Sequence, residues 1–304
     1  MTGLRPLGLP RTASWRAGLC TSWCRDRSND TGAVEPSLST SAGYIEWAVP
    51  PPLRRYVSCS WSAGSPRADE PVLPDGCMDI IWDGEQLFVS GPDTEPKTAP
   101  FERLTVGVRF RPGAGPLFLG VPADELCDRH VPLDALWSDA AAIADQLSAC
   151  STRREAAATL EDRTCRRVAG VGAPDPVVEA ASRLWRHDAT GANIAWLAEQ
   201  AGVTNRQLHR RFVGAVGYGP KLLQRVLRFQ AFLASCSSPT AGIADLAFSA
   251  GYADQSHLNR EARALAERTP AELRARRVDV RNVQDACTPA RYNVSMDQAR
   301  GKIP

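Results

Sequence analysis

The sequence predicts an α+β protein of two domains, a small β-barrel or β-sandwich with a trailing helix followed by an all-α domain. Three observations support this fold class. Short apolar runs alternate with turn signals over residues 43–137, and an Ala/Leu/Arg-rich helical pattern follows over 138–168. Two similar segments then recur 49 residues apart, beginning at Ile194 and Ile243. A chain of 304 residues is long enough to bury two separate cores.

The predicted β-domain spans residues 43–168. It follows an extension, residues 1–42, whose Gly, Pro, Ser, Thr and Arg content predicts disorder. Turn signals such as LPDG, WDGE and SGPD separate its apolar runs, and this spacing is typical of a small barrel or sandwich. Strands are expected at Tyr56–Trp61, Cys77–Trp82, Leu87–Ser90 and Leu104–Phe110.

The C-terminal part is expected to consist of a linker, 169–176, a helical domain, 177–277, and a flexible polar tail, 278–304. From Asp175 to Arg277 there are 14 Lys and Arg against 9 Asp and Glu, whereas the rest of the chain is slightly acidic. A basic domain joined to a slightly acidic one is typical of a nucleic-acid-binding module with a separate sensor.

The internal repeat predicts two helix-turn-helix units, IAWLAEQAGVTNRQLHRRF and IADLAFSAGYADQSHLNREA. In both, Ile and Leu-Ala lie one turn apart on a first helix, and a Gly follows where a left-handed turn is expected (Gly202 and Gly251). A second helix then begins after Thr204 or Asp254 as N-cap. Thr204 and Gln207 have the spacing of a capping box.

The outward faces of the two second helices follow by elimination, because Leu208 and Phe212 must face the core. The remaining side chains are hydrogen-bond donors of the kinds that bind base edges in the major groove. A plain solvated face is the alternative, but it is less favoured when two such helices occur in repeated units. The candidate DNA-binding residues are Asn205, Arg206, His209 and Arg210 in the first unit, and Gln255, Ser256, His257, Asn259 and Arg260 in the second.

Between the units, KLLQRVLRFQAFLAS follows Pro220, a residue favoured in the first turn of a helix. An apolar stripe marks the side of this helix that packs against both units (Leu222, Val226, Phe229 and Leu233). Such a connector would hold the two recognition helices about 34 Å apart, one turn of DNA. Its cations are expected to face solvent or phosphates (Lys221, Arg225 and Arg228).

At this point residues 175–277 resemble the DNA-binding domain of the AraC/XylS family of bacterial transcription regulators. The resemblance rests on both repeats, GYGPKLLQRVLRFQ, AGYADQSHLNRE and the closing TPAEL at Thr269. It implies base contacts from the two recognition helices and a response to a small ligand through the N-terminal domain. Two positions depart from the family pattern: Ala262 replaces a usual Phe, and Glu267 replaces a usual Gly. Unless Leu265 refills the space, the second unit is expected to be the weaker one.

The N-terminal half is similar to a cupin-like β-domain found ahead of this DNA-binding domain in actinobacterial-type regulators. The matching pieces are LPDGCMDIIWDG, LFVSGPDTEP, VGVRFRPGAGPLFLGVPADEL and VPLDALW. A cupin metal site needs several histidines, and His130 is the only one before residue 175. We therefore expect no metal, no cofactor and no enzyme activity. Arg109 and Arg111 flank a strand end and are expected to be surface or structural residues, with an anionic ligand as the alternative.

Two other classes of function remain as alternatives. A DNA alkyl-repair methyl acceptor fused to an AraC-like module needs about four zinc-bound cysteines. The nine cysteines contain no CxxC pair, and Cys20 and Cys24 have no second pair nearby, so reduced thiols are expected. The other alternative is a ligand-binding or interaction protein with a degenerate DNA domain.

The favoured interpretation is a cytoplasmic, sequence-specific transcription regulator that binds double-stranded promoter DNA. No apolar run reaches the roughly 18 residues that a membrane helix needs, and the N-terminus lacks the apolar stretch of a secretory signal. RNA polymerase, an unknown small-molecule effector and a second copy of the chain are the further partners that this interpretation allows. The effector, the target promoter and the choice between activation and repression are left open.

Overall fold

The N-terminal domain is built on a six-stranded antiparallel sheet with the strand order β1-β2-β7-β4-β5-β8. The computed structural model describes residues 44–64, 71–98, 105–187, 193–236 and 240–275. A two-stranded ribbon pairs β3 with β6. The strands are β1 (Ile45–Trp47), β2 (Val57–Ala63), β3 (Pro71–Val72), β4 (Met78–Trp82), β5 (Leu87–Ser90), β6 (Lys97–Thr98), β7 (Thr105–Phe110) and β8 (His130–Pro132).

The four strands expected from the apolar runs are confirmed as β2, β4, β5 and β7, and they occupy the centre of the sheet. All five residues of β4 are buried, and β2 is buried except at its last residue. β4 is mostly apolar because both of its faces are covered, whereas β2 alternates apolar residues with three buried serines, Ser58, Ser60 and Ser62. The α+β fold class is confirmed. The predicted extension, 1–42, and tail, 278–304, lie outside the described residues.

A short helix, α1 (Gly115–Leu119), lies between β7 and β8, within the region predicted as β structure. Two longer helices follow the sheet, as the Ala/Leu/Arg-rich pattern predicts: α2 (Ala140–Ser148) and α3 (Arg153–Cys165). A capping box begins α3, in which the Thr152 side chain accepts from the Glu155 N–H and the Glu155 carboxylate accepts from the Thr152 N–H. Buried Glu161 fastens α3 to β2 by accepting from the Ser60 hydroxyl at 2.5 Å, and it also pairs with Arg154.

In the described part of the C-terminal domain, all of the regular secondary structure is helical. They are α4 (Pro176–His187), α5 (Ile194–Gln200), α6 (Asn205–Val216), α7 (Pro220–Ser235), α8 (Ile243–Ser249), α9 (Gln255–Ala266) and α10 (Pro270–Ala275). In the part of the chain that the structure describes, none of the helices has the length and apolar character that a membrane span requires.

Helix α7 separates two hydrophobic cores, as the sequence predicts for the connector. Leu223 and Leu227 belong to the core formed with α4, α5 and α6. Val226 and Phe229 belong to the core formed with α8, α9 and α10. Leu222 packs against both cores. One rigid helix therefore carries both helix-turn-helix units.

The β-domain contacts the helical domain along an interdomain seam, which we define as the loop Leu73–Cys77 and the residues it meets on the helices. All described residues fall within one compact unit. The Gln230 amide on α7 donates to the Pro74 carbonyl at 2.6 Å. Elsewhere, Pro92 and Ala123 lie so close to Gly217 that an added Cβ there would be 2.6 Å from the proline ring. The β-domain thus supports the C-terminal end of α6.

Candidate nucleic-acid interface

The turns of both helix-turn-helix units have the geometry that the sequence predicts. Gly202 and Gly251 adopt positive φ values of 62° and 81°, a region that other residues rarely enter. The Thr204 hydroxyl accepts from the Gln207 N–H at 3.2 Å, and the Gln207 side chain accepts from the Thr204 N–H at 2.9 Å. Asp254 caps the other recognition helix by accepting from the N–H of His257 at 2.7 Å. These caps fix where each recognition helix begins.

On α6, the first recognition helix, Leu208 and Phe212 are fully buried and face the core. Arg206 and Arg210, one turn apart on the opposite side, are exposed. Asn205 is exposed in the first turn. His209, although exposed, lies toward Gly219, where an added Cβ would be 2.7 Å from its Nε2. The structure therefore brings Arg206 and Arg210 together on the outward face and places His209 at its edge.

On α9, the second recognition helix, Leu258 and Ala262 are fully buried. Gln255, Ser256 and Arg260 are exposed. His257 and Asn259 are partly buried, and the His257 ring packs edge-on against buried Tyr252, with centroids 5.2 Å apart. Ser256 and Arg260 thus correspond to Arg206 and Arg210, while the two partly buried residues flank the outward face.

The sequence interpretation did not include Arg263, which is exposed on the same side of α9 one turn beyond Arg260. The helical spacing of three residues from Arg260 is the signal that would have identified it. The first unit has Val213 at the matching position, so the two outward faces differ in charge as well as in hydrogen-bonding groups.

The three cations of α7 have different surroundings. Lys221 is exposed, as expected. Arg225 instead pairs with Glu261 on α9, and the Arg228 guanidinium lies 5.6 Å from the centre of the Tyr252 ring. The expectation that all three face solvent or phosphates is therefore wrong for Arg225 and Arg228, because both pack against the second unit.

The two units place their large and small core residues at opposite positions of the recognition helix. In the first unit Phe212 is fully buried and Ala215 is partly buried. In the second unit the matching positions hold Ala262 and Leu265, which are 0% and 2% exposed and belong to one core. Leu265 thus supplies side-chain volume in the core where the usual phenylalanine is missing.

The helix ends differ in a related way. Gly217 ends α6 with φ 96°, and Glu267 ends α9 with φ 53°. Both are left-handed caps, and in both the cap N–H donates to the carbonyl four residues earlier. Glu267 therefore adopts a backbone conformation that glycine enters without a steric penalty.

In the β-domain, Arg109 is held inside a polar cluster. Its Nε donates to the Asp79 carboxylate at 3.0 Å, its Nη1 lies 3.4 Å from Asp75, and Asp79 also accepts from the Trp61 indole at 2.6 Å. Burial raises the pKa of Asp79, while the Arg109 charge opposes this shift. Arg111 donates to the carbonyl of Arg54 at 3.0 Å. Both arginines have the structural role that the sequence favours.

The cysteines in the described ranges are free thiols. Within those ranges, no three His, Cys, Asp or Glu side chains are grouped to hold a metal ion. The zinc-thiolate centre of a methyl acceptor therefore gains no support from the part of the chain that the structure describes. Cys20 and Cys24 lie outside it. His130 is exposed on β8, with its ring 5.2 Å from that of Phe88.

Two helix-turn-helix units, each presenting an arginine-bearing helix to solvent, define a DNA-binding domain. Comparison with known families agrees: a family model described as "Helix-turn-helix domain" matches residues 197–276. A second, described as "Domain of unknown function (DUF6597)", matches residues 46–132. The chain therefore combines a DUF6597 β-domain with an AraC-type helix-turn-helix domain, and the resemblance seen in the sequence is confirmed.

Solved structures of ToxT from Vibrio cholerae match most of this chain, with low sequence identity and low TM-scores. ToxT from strain O395 is 12% identical with a TM-score of 0.40, covering 73% of this chain and 97% of ToxT. A 1.65 Å structure of ToxT is 11% identical with a TM-score of 0.41, covering 77% and 98%. The structure of ToxT bound to an unsaturated fatty acid is 10% identical with a TM-score of 0.41, covering 78% of this chain and 96% of ToxT. Curated proteins gave no significant match.

Proposed function

We propose that this chain is a transcription regulator that recognises a specific sequence in double-stranded promoter DNA with α6 and α9. The observation that carries this proposal is the pair Arg210 and Arg260. They lie at matching positions of the two recognition helices, and both are exposed opposite a buried leucine. Arginine is the side chain that most often binds guanine in the major groove.

The connector α7 supports recognition of two successive major-groove segments. Because it packs into both cores, the two recognition helices move as one body with it. Helices held about 34 Å apart on one face can enter the major groove one turn apart. The exposed residues available for this reading are Asn205, Arg206 and Arg210 in the first unit, and Gln255, Ser256 and Arg260 in the second. His209, His257 and Asn259 are proposed to contact DNA from the edges of these faces.

The remaining parts of the proposal concern the rest of the chain. The β-domain acts as a sensor or dimerisation module rather than as an enzyme. The regulator works in the cytoplasm without a cofactor, and its further partners are RNA polymerase, a small-molecule effector and a second copy of the chain. The contact of Pro92 and Ala123 with Gly217 supports this arrangement, because a change in the β-domain would reach the end of α6 through it.

Selection of bound sites from genomic DNA with the full chain tests the proposal. The selected site and a random duplex are then titrated at two salt concentrations with the wild type, Arg210→Ala and Arg260→Ala. Each substitution should cost about 1–3 kcal/mol on the selected site and much less on the random duplex. Binding to both duplexes should weaken with salt. Arg129→Ala, an exposed arginine of the β-domain, is the control and should leave both affinities unchanged.

The outcomes separate the possible roles. Equal losses on both duplexes would show that the arginine contacts phosphate only. Failure of the wild type to enrich any sequence would overturn the proposal and favour the alternative, a ligand-binding or interaction protein whose DNA domain is degenerate.

A further inference from the structure

The outward faces of the two recognition helices carry their arginines on different turns. Each face has a stripe with one residue in each of three successive turns, on the side opposite the buried leucine. On α6 the stripe consists of Arg206, Arg210 and Val213. On α9 it consists of Ser256, Arg260 and Arg263. The arginine pair therefore occupies the first and second turns in one unit, and the second and third turns in the other.

The two helices can be compared turn by turn because their local structure is the same. Each is twelve residues long and begins after an N-cap, Thr204 or Asp254, whose side chain accepts from the N–H three residues further on. The fully buried leucine follows four residues after the cap in both units, as Leu208 and Leu258. Matching positions therefore lie at the same distance from the start of each helix.

The arginines of the two stripes are available to a ligand. Among the described residues, no ion pair within 4 Å uses any of the four, which are Arg206, Arg210, Arg260 and Arg263. Charged residues on the flank of the same helices are paired within the fold: Arg211 lies 3.8 Å from Asp175, and Glu261 lies 3.0 Å from Arg225. The outward arginines thus differ from the flanking charges in having no such partner in the described chain.

The distance from the helix start decides which part of the DNA a side chain reaches. The N-terminal residues of a recognition helix contact base edges, so Arg206 in the first turn is placed to bind guanine. Ser256 at the matching position binds any base and gives little selection. Arg263 lies about 10 Å further along the helix axis than Ser256. Because the major groove is about 12 Å wide, a side chain so far from the base-reading turn reaches the phosphates at the groove edge.

We propose that the two units divide the recognition of DNA between them. Arg206 on α6 selects a guanine in the first half-site, and Arg263 on α9 anchors the second half-site by a phosphate contact. The second half-site therefore tolerates any base pair opposite Ser256. Arg210 and Arg260, in the second turns, are common to both units. This division rests on the proposed function and deepens it, because it assigns different tasks to the two helices.

The test titrates the selected site and a random duplex with the full chain at several salt concentrations. Arg206→Ala should weaken binding to the selected site about tenfold and leave the random duplex nearly unchanged, because a base contact is lost. Arg263→Ala should weaken binding to both duplexes by the same factor. It should also lower the slope of the logarithm of the binding constant against the logarithm of the salt concentration by about 1, as expected for one phosphate contact.

Two exchanges between the units should produce gains, which a misfolded variant cannot show. Ser256→Arg should create a new guanine preference at one position of the second half-site when the selection is repeated. Val213→Arg should strengthen binding to both duplexes and raise the salt slope by about 1. Ala142→Arg, at an exposed position of α2 in the β-domain, adds the same charge away from the recognition helices and should change neither property.

Three results would overturn the division of tasks. They are an equal loss on both duplexes in Arg206→Ala, a loss confined to the selected site in Arg263→Ala, and no new guanine preference in Ser256→Arg. The last result would show that the first turn of α9 does not face base edges. Failure of the proposed function is seen separately and earlier, because the wild type would then enrich no sequence at all.

Discussion

Arg225 on α7 donates hydrogen bonds from its Nε to both carboxylate oxygens of Glu261 on α9, at 3.0 Å each. Its Nη2 lies 3.0 Å from the same carboxylate. In the first unit the position matching Glu261 holds Arg211, which is exposed and lies 3.8 Å from Asp175 instead. The second recognition helix is therefore joined to the connector by an ion pair as well as by its hydrophobic core, whereas the core of the first includes the aromatic pair Trp185 and Phe212.

This ion pair should stabilise the fold measurably. We expect Arg225→Ala and Glu261→Ala each to lower the free energy of unfolding by about 1–3 kcal/mol, between the values for exposed and for buried pairs, because Glu261 is buried and Arg225 partly exposed. A double-mutant cycle should show a coupling of at least about 1 kcal/mol. The exposed pair Arg166 and Asp162 is the control, with an expected coupling of about 0.3–0.5 kcal/mol. Equal coupling for both pairs would contradict a special role of Arg225.

Ala262 and Leu265 of the second unit match Phe212 and Ala215 of the first, so the large side chain has changed position. We therefore expect substitutions at Ala262 and Leu265 to have non-additive effects on stability. Ala262→Phe alone should destabilise by about 1–3 kcal/mol through overpacking. Leu265→Ala alone should cost about 2–5 kcal/mol through the cavity that it leaves. Together they should cost clearly less than the sum, because the new ring fills that cavity. Unfolding in denaturant measures all three variants.

A control for this cycle pairs Ala262→Phe with Leu160→Ala, a fully buried leucine of α3 in the β-domain. These two sites share no core, so their effects should add within about 0.5 kcal/mol. If the Ala262 and Leu265 changes were also additive, the two positions would not share packing space.

The central strands and the helix caps could be predicted because their determinants are local in the sequence. The run LFVS gave β5 with its observed ends, and Thr204 with Gln207 formed the expected capping box. The positive φ of Gly202 likewise followed from its place after the first helix. Each of these features depends on residues within one or two turns of one another.

The short strands and the charged partners could not be predicted in the same way. β1 and β8 are three-residue edge strands whose existence depends on pairing with β2 and β5. Arg225 was expected to face solvent, since nothing near it in the sequence indicates that Glu261 lies opposite. The outward faces of α6 and α9 were predicted more broadly than the structure places them, because one helix alone does not show that His209 lies against Gly219.

Replacing Glu267 with glycine should stabilise the folded protein. It occupies a left-handed conformation, which costs a residue with a Cβ about 1–2 kcal/mol. We therefore expect Glu267→Gly to raise the free energy of unfolding by about 1 kcal/mol. Ala264→Gly, at an exposed position inside the same helix, should instead lower it by about 1 kcal/mol. A loss of stability in Glu267→Gly would show that the glutamate side chain contributes more than its backbone strain costs.

Asp93 is expected to make the stability of the protein depend on pH. It follows Pro92, which packs against Gly217 at the end of α6. Burial raises the pKa of Asp93 to about 7, the charges of Asp128, Asp75 and Asp79 add to the shift, and Lys97 opposes it. In the unfolded chain an aspartate has a pKa of about 3.9. The folded state therefore binds this proton more tightly, and ionisation of Asp93 removes stability as the pH rises from about 4 to about 7.

Asp93→Asn should consequently melt at a higher temperature than the wild type at pH 8, and the difference between them should shrink steadily as the pH falls from 8 to 5. Asparagine keeps the size and polarity of the protonated acid but cannot ionise, so the comparison isolates this one group from all others that titrate. Asp124→Asn, an exposed aspartate in the 3-10 helix Ala123–Glu125, controls for the loss of one negative charge. A difference that stayed constant between pH 8 and pH 5, or one that grew as the pH fell, would show that Asp93 is already ionised in the folded protein throughout this range. In that case the loop beside Gly217 would carry a permanent negative charge.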